Sequence, residues 1–241
     1  MLFVARLLTA REPLIPLAIL RGRITSAITG AAFFSIGTII GVTIFAPLYS
    51  QMVLGASASS SGVALIAFMA GTVIGSILTG RLIIRLTHYM RVPIIGLIVA
   101  IATFVVLAVE TAGLSLGGFT LLLGVLGVAI GPMYQTSTIV TQNAVKPHQL
   151  GTATGALNFF RLLGGAVIVA VFGAIVLGST SGGDAVVTLE KLAAGHADFV
   201  PGFRLVFVAG AIFLTIALAC VLVVEERPFH GPVRLADPPA E

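Results

Sequence analysis

The sequence predicts an all-α, polytopic membrane protein built as a six-transmembrane-helix bundle, on three observations. Of 241 residues, 58% are apolar and only 9% are charged, against roughly 25% charged in an ordinary soluble domain. A water-soluble fold of this composition would leave large contiguous apolar patches exposed. The apolar residues gather into six long runs bounded by charge or turn signals, near or above the roughly 20 residues that cross about 30 Å of hydrocarbon. None of these runs contains Asp or Glu. A β-barrel would need short segments of alternating polarity, and these runs are continuously apolar.

Taken in order, the first run covers 24–49, follows Arg21 and Arg23, and carries Gly37 and Gly41. Pro47, near its far end, either bends or terminates it. The second, 62–84, carries Gly71 and Gly75 and leads into the basic residues Arg81, Arg85 and Arg91. The third, 92–109, stops at Glu110. The fourth, 114–140, holds Gly127, Gly131 and Pro132; a proline deep in an apolar run frees a backbone carbonyl and bends the helix, a device suited to flexing or lining a cavity. The fifth, 151–177, holds Gly151, Gly155, Asn158 and Arg161, and the sixth, 203–224, ends before Glu225 and Glu226. The glycine pairs at four-residue spacing let helix backbones approach closely, which marks packing more than function. The organisation expected is a lead-in over 1–23, a membrane bundle over 24–224 and a tail over 225–241.

Orientation follows from the basic residues, because cytoplasmic loops carry the excess of Lys and Arg. With alternating sides, Arg6, Arg11, Arg21, Arg23, Arg81, Arg85, Arg91, Lys146, Arg227 and Arg234 fall on one side, and Lys191 and Arg204 on the other. Both termini are therefore expected in the cytoplasm and the protein in the inner or plasma membrane. The net charge of +4 sets orientation here, and no nucleic-acid partner is expected. The apolar stub Met1-Leu2-Phe3-Val4-Ala5 is too short for a signal-peptide core. It reads either as the end of a preceding, truncated transmembrane helix or as a short amphipathic lead-in on the membrane surface.

Arg81 and Arg204 lie near the ends of their runs, and Arg161 is the one cation deep inside one. It lies ten residues past Gly151, roughly 15 Å into the membrane at about 1.5 Å per residue, where a charge is costly. No carboxylate shares the runs with it. Two readings stand: it snorkels or bonds free carbonyls, or its partner is a substrate or lies in polypeptide outside this chain. Gln135, Thr136, Ser137, Thr138, Thr141, Gln142 and Asn143 cluster toward the inner end of the fourth helix, at and just past the end of its apolar run, with Asn158 one turn before Arg161. They line either a water-accessible cleft or a seam of interhelical hydrogen bonds. Enzymatic chemistry is not expected: His88, His148, His196 and His230 fall in loops or the tail without metal-ligand spacing, and no nucleophile has a base nearby. The lone Cys220 has no intrachain partner, and no cofactor is expected.

Several separated motifs carry a family resemblance. Arg11-Glu12-Pro13-Leu14-Ile15-Pro16-Leu17, Pro47-Leu48-Tyr49-Ser50-Gln51 and Gly75-Ser76-Ile77-Leu78-Thr79-Gly80-Arg81 occur in order, followed by Gln142-Asn143-Ala144-Val145, Leu150-Gly151-Thr152-Ala153-Thr154-Gly155 and Asn158-Phe159-Phe160-Arg161-Leu162-Leu163-Gly164-Gly165. Together they resemble the carboxy-terminal part of the EmrB/QacA-type drug:proton antiporters of the major facilitator superfamily, the 14-helix class. The stretch from Gly75 to Arg91 is similar to the superfamily's cytoplasmic-loop signature, with Thr79 and Gly80 where the full signature has an acid.

The resemblance implies one half of a major facilitator fold, in a carrier of two six-helix bundles that rocks between inward- and outward-open states. It implies drug-like amphipathic substrates, a proton gradient as driving force, and either a complementary six-helix bundle or self-association. Gln135, Asn158 and Arg161 are then the expected substrate-cavity residues, and Gly75, Arg81, Arg85, Arg91, Gly131 and Pro132 the expected gating residues. A non-transporting remnant or membrane-protein interaction partner is the alternative.

Overall fold

The computed structural model describes residues 22–83, 90–181 and 199–224. Within them lie six helices, each long and apolar enough to cross a membrane: α1 (Arg23–Met52), α2 (Ala58–Ile83), α3 (Arg91–Val109), α4 (Leu116–Asn143), α5 (Leu150–Ser181) and α6 (Val200–Leu222). A single 3₁₀ turn, Pro147–Gln149, joins α4 to α5. The expected lead-in up to residue 21, the tail and Arg85 lie outside the described residues. The spans alternate in direction, so the start of α1 and the end of α6 share one end of the bundle, called here the terminal end.

Local chemistry sets the boundaries. Pro47 lies inside α1, which continues to Met52 instead of ending there, and Ser50 Oγ donates to Pro47 O at 2.9 Å. The next helix begins four residues before the expected Gly62, because the Ser57 hydroxyl accepts from the Ser60 amide at 3.2 Å and so caps the first turn. Ser115 caps α4 in the same way, through Gly118. At its other end α4 runs past the expected Val140 to Asn143 and stops ahead of Pro147, which cannot continue a helix. Pro201, at the first positions of α6, has a missing N–H that no helix partner needs.

The helices pack chiefly as three pairs, α2 on α4, α1 on α5 and α3 on α6. Within the membrane stretches 56% of α1 and 50% of α4 are buried in the bundle, against 28% for α2 and α5. The first two therefore form the interior, and the other two present long apolar faces outward, including Val63, Ile66 and Ile77 on α2 and Phe159, Leu162 and Val167 on α5.

Glycines decide how close the pairs come. Gly71 and Gly75 of α2 and Gly127 and Gly131 of α4 interlock: a Cβ on any of them would overlap backbone of the facing helix. In the α1–α5 pair, Gly37 meets the backbone of Gly164, and Gly164 meets Phe33 in return. Away from the terminal end the bundle is closed by aromatics. Tyr49 is fully buried, with ring centroids 4.7, 5.4 and 5.2 Å from Phe119, Phe203 and Phe207. Its hydroxyl donates to Thr111 O at 2.8 Å, as a buried phenol requires.

Candidate functional site

Arg161 lies eleven residues into α5 and is 4% exposed. Its guanidinium reaches across to α4. Nη2 donates to Tyr134 O (2.9 Å), Ser137 Oγ (2.7 Å) and Thr138 Oγ1 (2.8 Å), and Nη1 donates to Asn158 Oδ1 at 3.0 Å. Nη2 has two hydrogens for three acceptors, so one hydrogen is shared. The Tyr134 ring lies beneath the guanidinium, 4.4 Å from centroid to Cζ, within cation–π range.

The acceptors are prepared by their own helix. Ser137 donates its hydroxyl proton to Met133 O (2.7 Å) and Thr138 donates to Tyr134 O (3.1 Å), which turns an oxygen lone pair of each toward the guanidinium. The spacing of 134, 137 and 138 places all three on one α4 face. Beyond this cluster, Gln142 Nε2 donates to Thr154 Oγ1 at 3.4 Å. Packing between α4 and α5 is otherwise slight beside the three main pairs, so Arg161 is the principal tie between them.

The tie is made without a counter-charge. Among the described residues the one carboxylate is Glu110, which caps the opposite end of α3. Arg161 thus bonds a carbonyl and neutral side chains of its own bundle and does not snorkel. Its Nε has no hydrogen-bond partner among the described residues. Asn158 and Tyr134 remain exposed beside it, so the buried cation sits behind a polar and aromatic rim.

Of the expected cavity residues, the structure brings Asn158 and Arg161 together. Gln135 is half-buried and is not a partner of Arg161. Tyr134 is the participant that sequence reading passed over; the signal was an aromatic ring one turn before Ser137 and Thr138.

Among the expected gating residues, Gly75 and Gly131 face each other in the α2–α4 joint. Pro132 removes the N–H that would bond Val128 O. That carbonyl instead abuts Gly75, so closely that any side chain there would overlap it, and Ala129 O abuts Gly96 of α3 in the same manner. Ser76 Oγ donates to Gly131 O at 3.0 Å. Pro132 thus frees one carbonyl of α4, Val128 O, which faces the closely packed α2 backbone at Gly75 rather than lipid. Arg81 and Arg91 are exposed at the terminal end of α2 and α3.

Six helices able to cross a membrane, brought close at their glycines and with a cation buried between two of them, define a polytopic membrane protein. The model of the Major Facilitator Superfamily matches residues 5–169, and the chain belongs to that superfamily. It is 33% identical over 172 residues to a tetracycline resistance determinant of Streptomyces rimosus, covering 69% of this chain and 49% of that protein. It is 26% identical over 167 residues to the multidrug transporter protein MdtP of Bacillus subtilis, covering 69% of this chain and 31% of that protein. Multidrug resistance protein 3 of the same organism is 27% identical over 168 residues, covering 69% and 32%. The matched stretch therefore spans half or less of the length of these curated relatives.

Proposed function

We propose that this chain forms the carboxy-terminal half of a secondary-active efflux carrier that moves amphipathic small molecules across the plasma membrane by alternating access, with both termini cytoplasmic. The observation that carries this reading is the Arg161 cluster: a buried cation behind the exposed Tyr134 and Asn158, in a chain related to proteins named for tetracycline and multidrug resistance. The uncovered faces of α2 and α5 suit docking of a complementary six-helix bundle. That bundle would also supply the titrating carboxylate that coupling to a proton gradient needs, since the described spans hold none. Gln135, Asn158 and Arg161 would border the cavity, and the Gly75/Gly131/Pro132 joint with Arg81, Arg85 and Arg91 would serve the conformational change.

Efflux of an amphipathic fluorescent dye from cells tests this. Cells with this chain and a complementary amino-terminal half should extrude dye, cells with the chain alone should not, and an ionophore that collapses the proton gradient should stop extrusion. Absence of extrusion with every complementary half would favour a non-transporting role, such as binding another membrane protein.

A further inference from the structure

An apolar groove of about 870 Å³ runs between α2 and α3, floored by α4. It exists because α2 and α3 both pack on α4 and barely on each other. Along α2 its lining extends from Ala67 to Leu82, roughly 22 Å at 1.5 Å per residue. Leu78, Leu82, Val92, Ile95, Val125 and Val128 give it aliphatic walls. The lining hydroxyls are turned inward: Thr79 donates to Gly75 O (2.7 Å) and Thr120 to Leu116 O (2.8 Å). The groove thus offers a hydrocarbon-compatible surface with its polar groups already satisfied.

Its two mouths differ in charge. At the terminal end, Arg81 lies three residues past Leu78 and seven past Ile74, and Arg91 lies four residues before Ile95. Helical spacing puts both arginines on the same faces as the groove-lining residues, and both are exposed. At the opposite mouth the lining is Gly117, Thr120 and Leu121, and the nearby end of α3 carries Glu110, an acid.

From this juxtaposition we infer that the groove holds an anionic phospholipid, its acyl chains between α2 and α3 and its phosphate at Arg81 and Arg91. At roughly 30 Å³ per water-sized group, the volume accommodates on the order of thirty methylenes, about the two chains of one phospholipid. Guanidinium forks suit phosphate oxygens bidentately, and basic mouths between membrane helices select anionic headgroups. The charge asymmetry assigns the lipid to the leaflet at the terminal end. A lipid held there would bridge the facing walls of α2 and α3, which pack on α4 and barely on each other.

Native mass spectrometry of the detergent-purified 241-residue chain tests the inference, with phosphatidylglycerol and phosphatidylcholine titrated separately. One phosphatidylglycerol per chain should be retained at least tenfold more tightly than phosphatidylcholine. The double variant Arg81→Gln/Arg91→Gln should bring phosphatidylglycerol down to the phosphatidylcholine level, whereas Arg204→Gln at the opposite end should change nothing. Leu78→Trp, a substitution at an exposed position that fills the groove, should release the lipid with both arginines intact; Val125→Trp repeats that test elsewhere on the wall. Equal retention of the two lipids overturns the inference, as does binding that survives the double arginine variant. Loss in the arginine variant without loss in either tryptophan variant reduces the site to surface charge pairing and also overturns it. A dimer that excludes lipid would show a second copy of the chain in the groove, again contradicting it.

Discussion

Arg161→Ala is expected to reduce dye efflux by the completed carrier at least tenfold while leaving membrane insertion and the bundle intact. Opposing terms nearly cancel in stability. Removing an arginine from mid-membrane recovers about 2.5–3.5 kcal/mol on insertion scales. Losing four interhelical or intrahelical bonds costs roughly 0.6–1 kcal/mol each. Nothing is orphaned either, since Ser137 and Thr138 donate to backbone carbonyls of α4 and only accept from Arg161. Lost efflux in a folded variant therefore reports the role of the cation in the cycle. Arg161→Lys keeps the charge but replaces a planar fork with a point donor; it should recover only part of the rate, because one ammonium cannot reach the α4 acceptors and Asn158 together. Full efflux by the alanine variant, measured beside protein abundance in the membrane, would reduce Arg161 to a structural tie.

The second large effect concerns the α2–α4 joint. Gly131→Leu should yield no monodisperse protein on size-exclusion chromatography in detergent. A Cβ there would lie 2.5 Å from Thr72 O, 3.0 Å from Ser76 N and 3.2 Å from Gly75 Cα. All three are backbone, so no side chain can turn aside and the helices must separate. That would forfeit the close packing on which helix association in lipid depends. Gly155→Ala is the matched control: its Cβ would meet nothing within 4 Å, and the exchange should gain up to about 1 kcal/mol in helix propensity. A melting temperature lowered in the control, or a well-behaved leucine variant, would show that the joint is looser than this packing implies.

The six spans are legible in the sequence because lipid imposes length and apolarity on each segment separately. Their ends differ by a few residues where a cap decides, as Ser57 does for α2, or where a proline is tolerated, as Pro47 is in α1. Glycine spacing is legible without its pairing. Gly71 and Gly75 do meet Gly127 and Gly131, but Gly151 and Gly155 meet nothing, while Gly96 and Gly164, outside any such pair, are tightly packed. Spacing places small residues on a face, and only the tertiary arrangement says which face another helix covers. The Asn158–Arg161 bond is local, three residues apart on one helix, and so is readable. The α4 acceptors lie 23 to 27 residues away, which leaves their convergence on Arg161 open between a cleft and a seam. The structure shows the seam, with hydrogen bonds closing α4 on α5 and Asn158 and Tyr134 left exposed beside them. The end of the bundle away from the termini offers a parallel case. Its aromatic cluster joins Tyr49 of α1 to Phe119 of α4 and to Phe203 and Phe207 of α6, and no periodicity in one segment announces it.

The central claim is that the polar rim of α4 and α5 faces the aqueous cavity of a carrier. Thiol accessibility tests it most directly, in a Cys220→Ala background that removes the sole native cysteine. In the carrier completed with an amino-terminal half, Asn158→Cys should react with a membrane-impermeant maleimide and be protected by transported dye, while Ile212→Cys on the exposed apolar face of α6 stays unlabelled. An Asn158→Cys variant as unreactive as Ile212→Cys, in protein shown to be folded, would contradict the account.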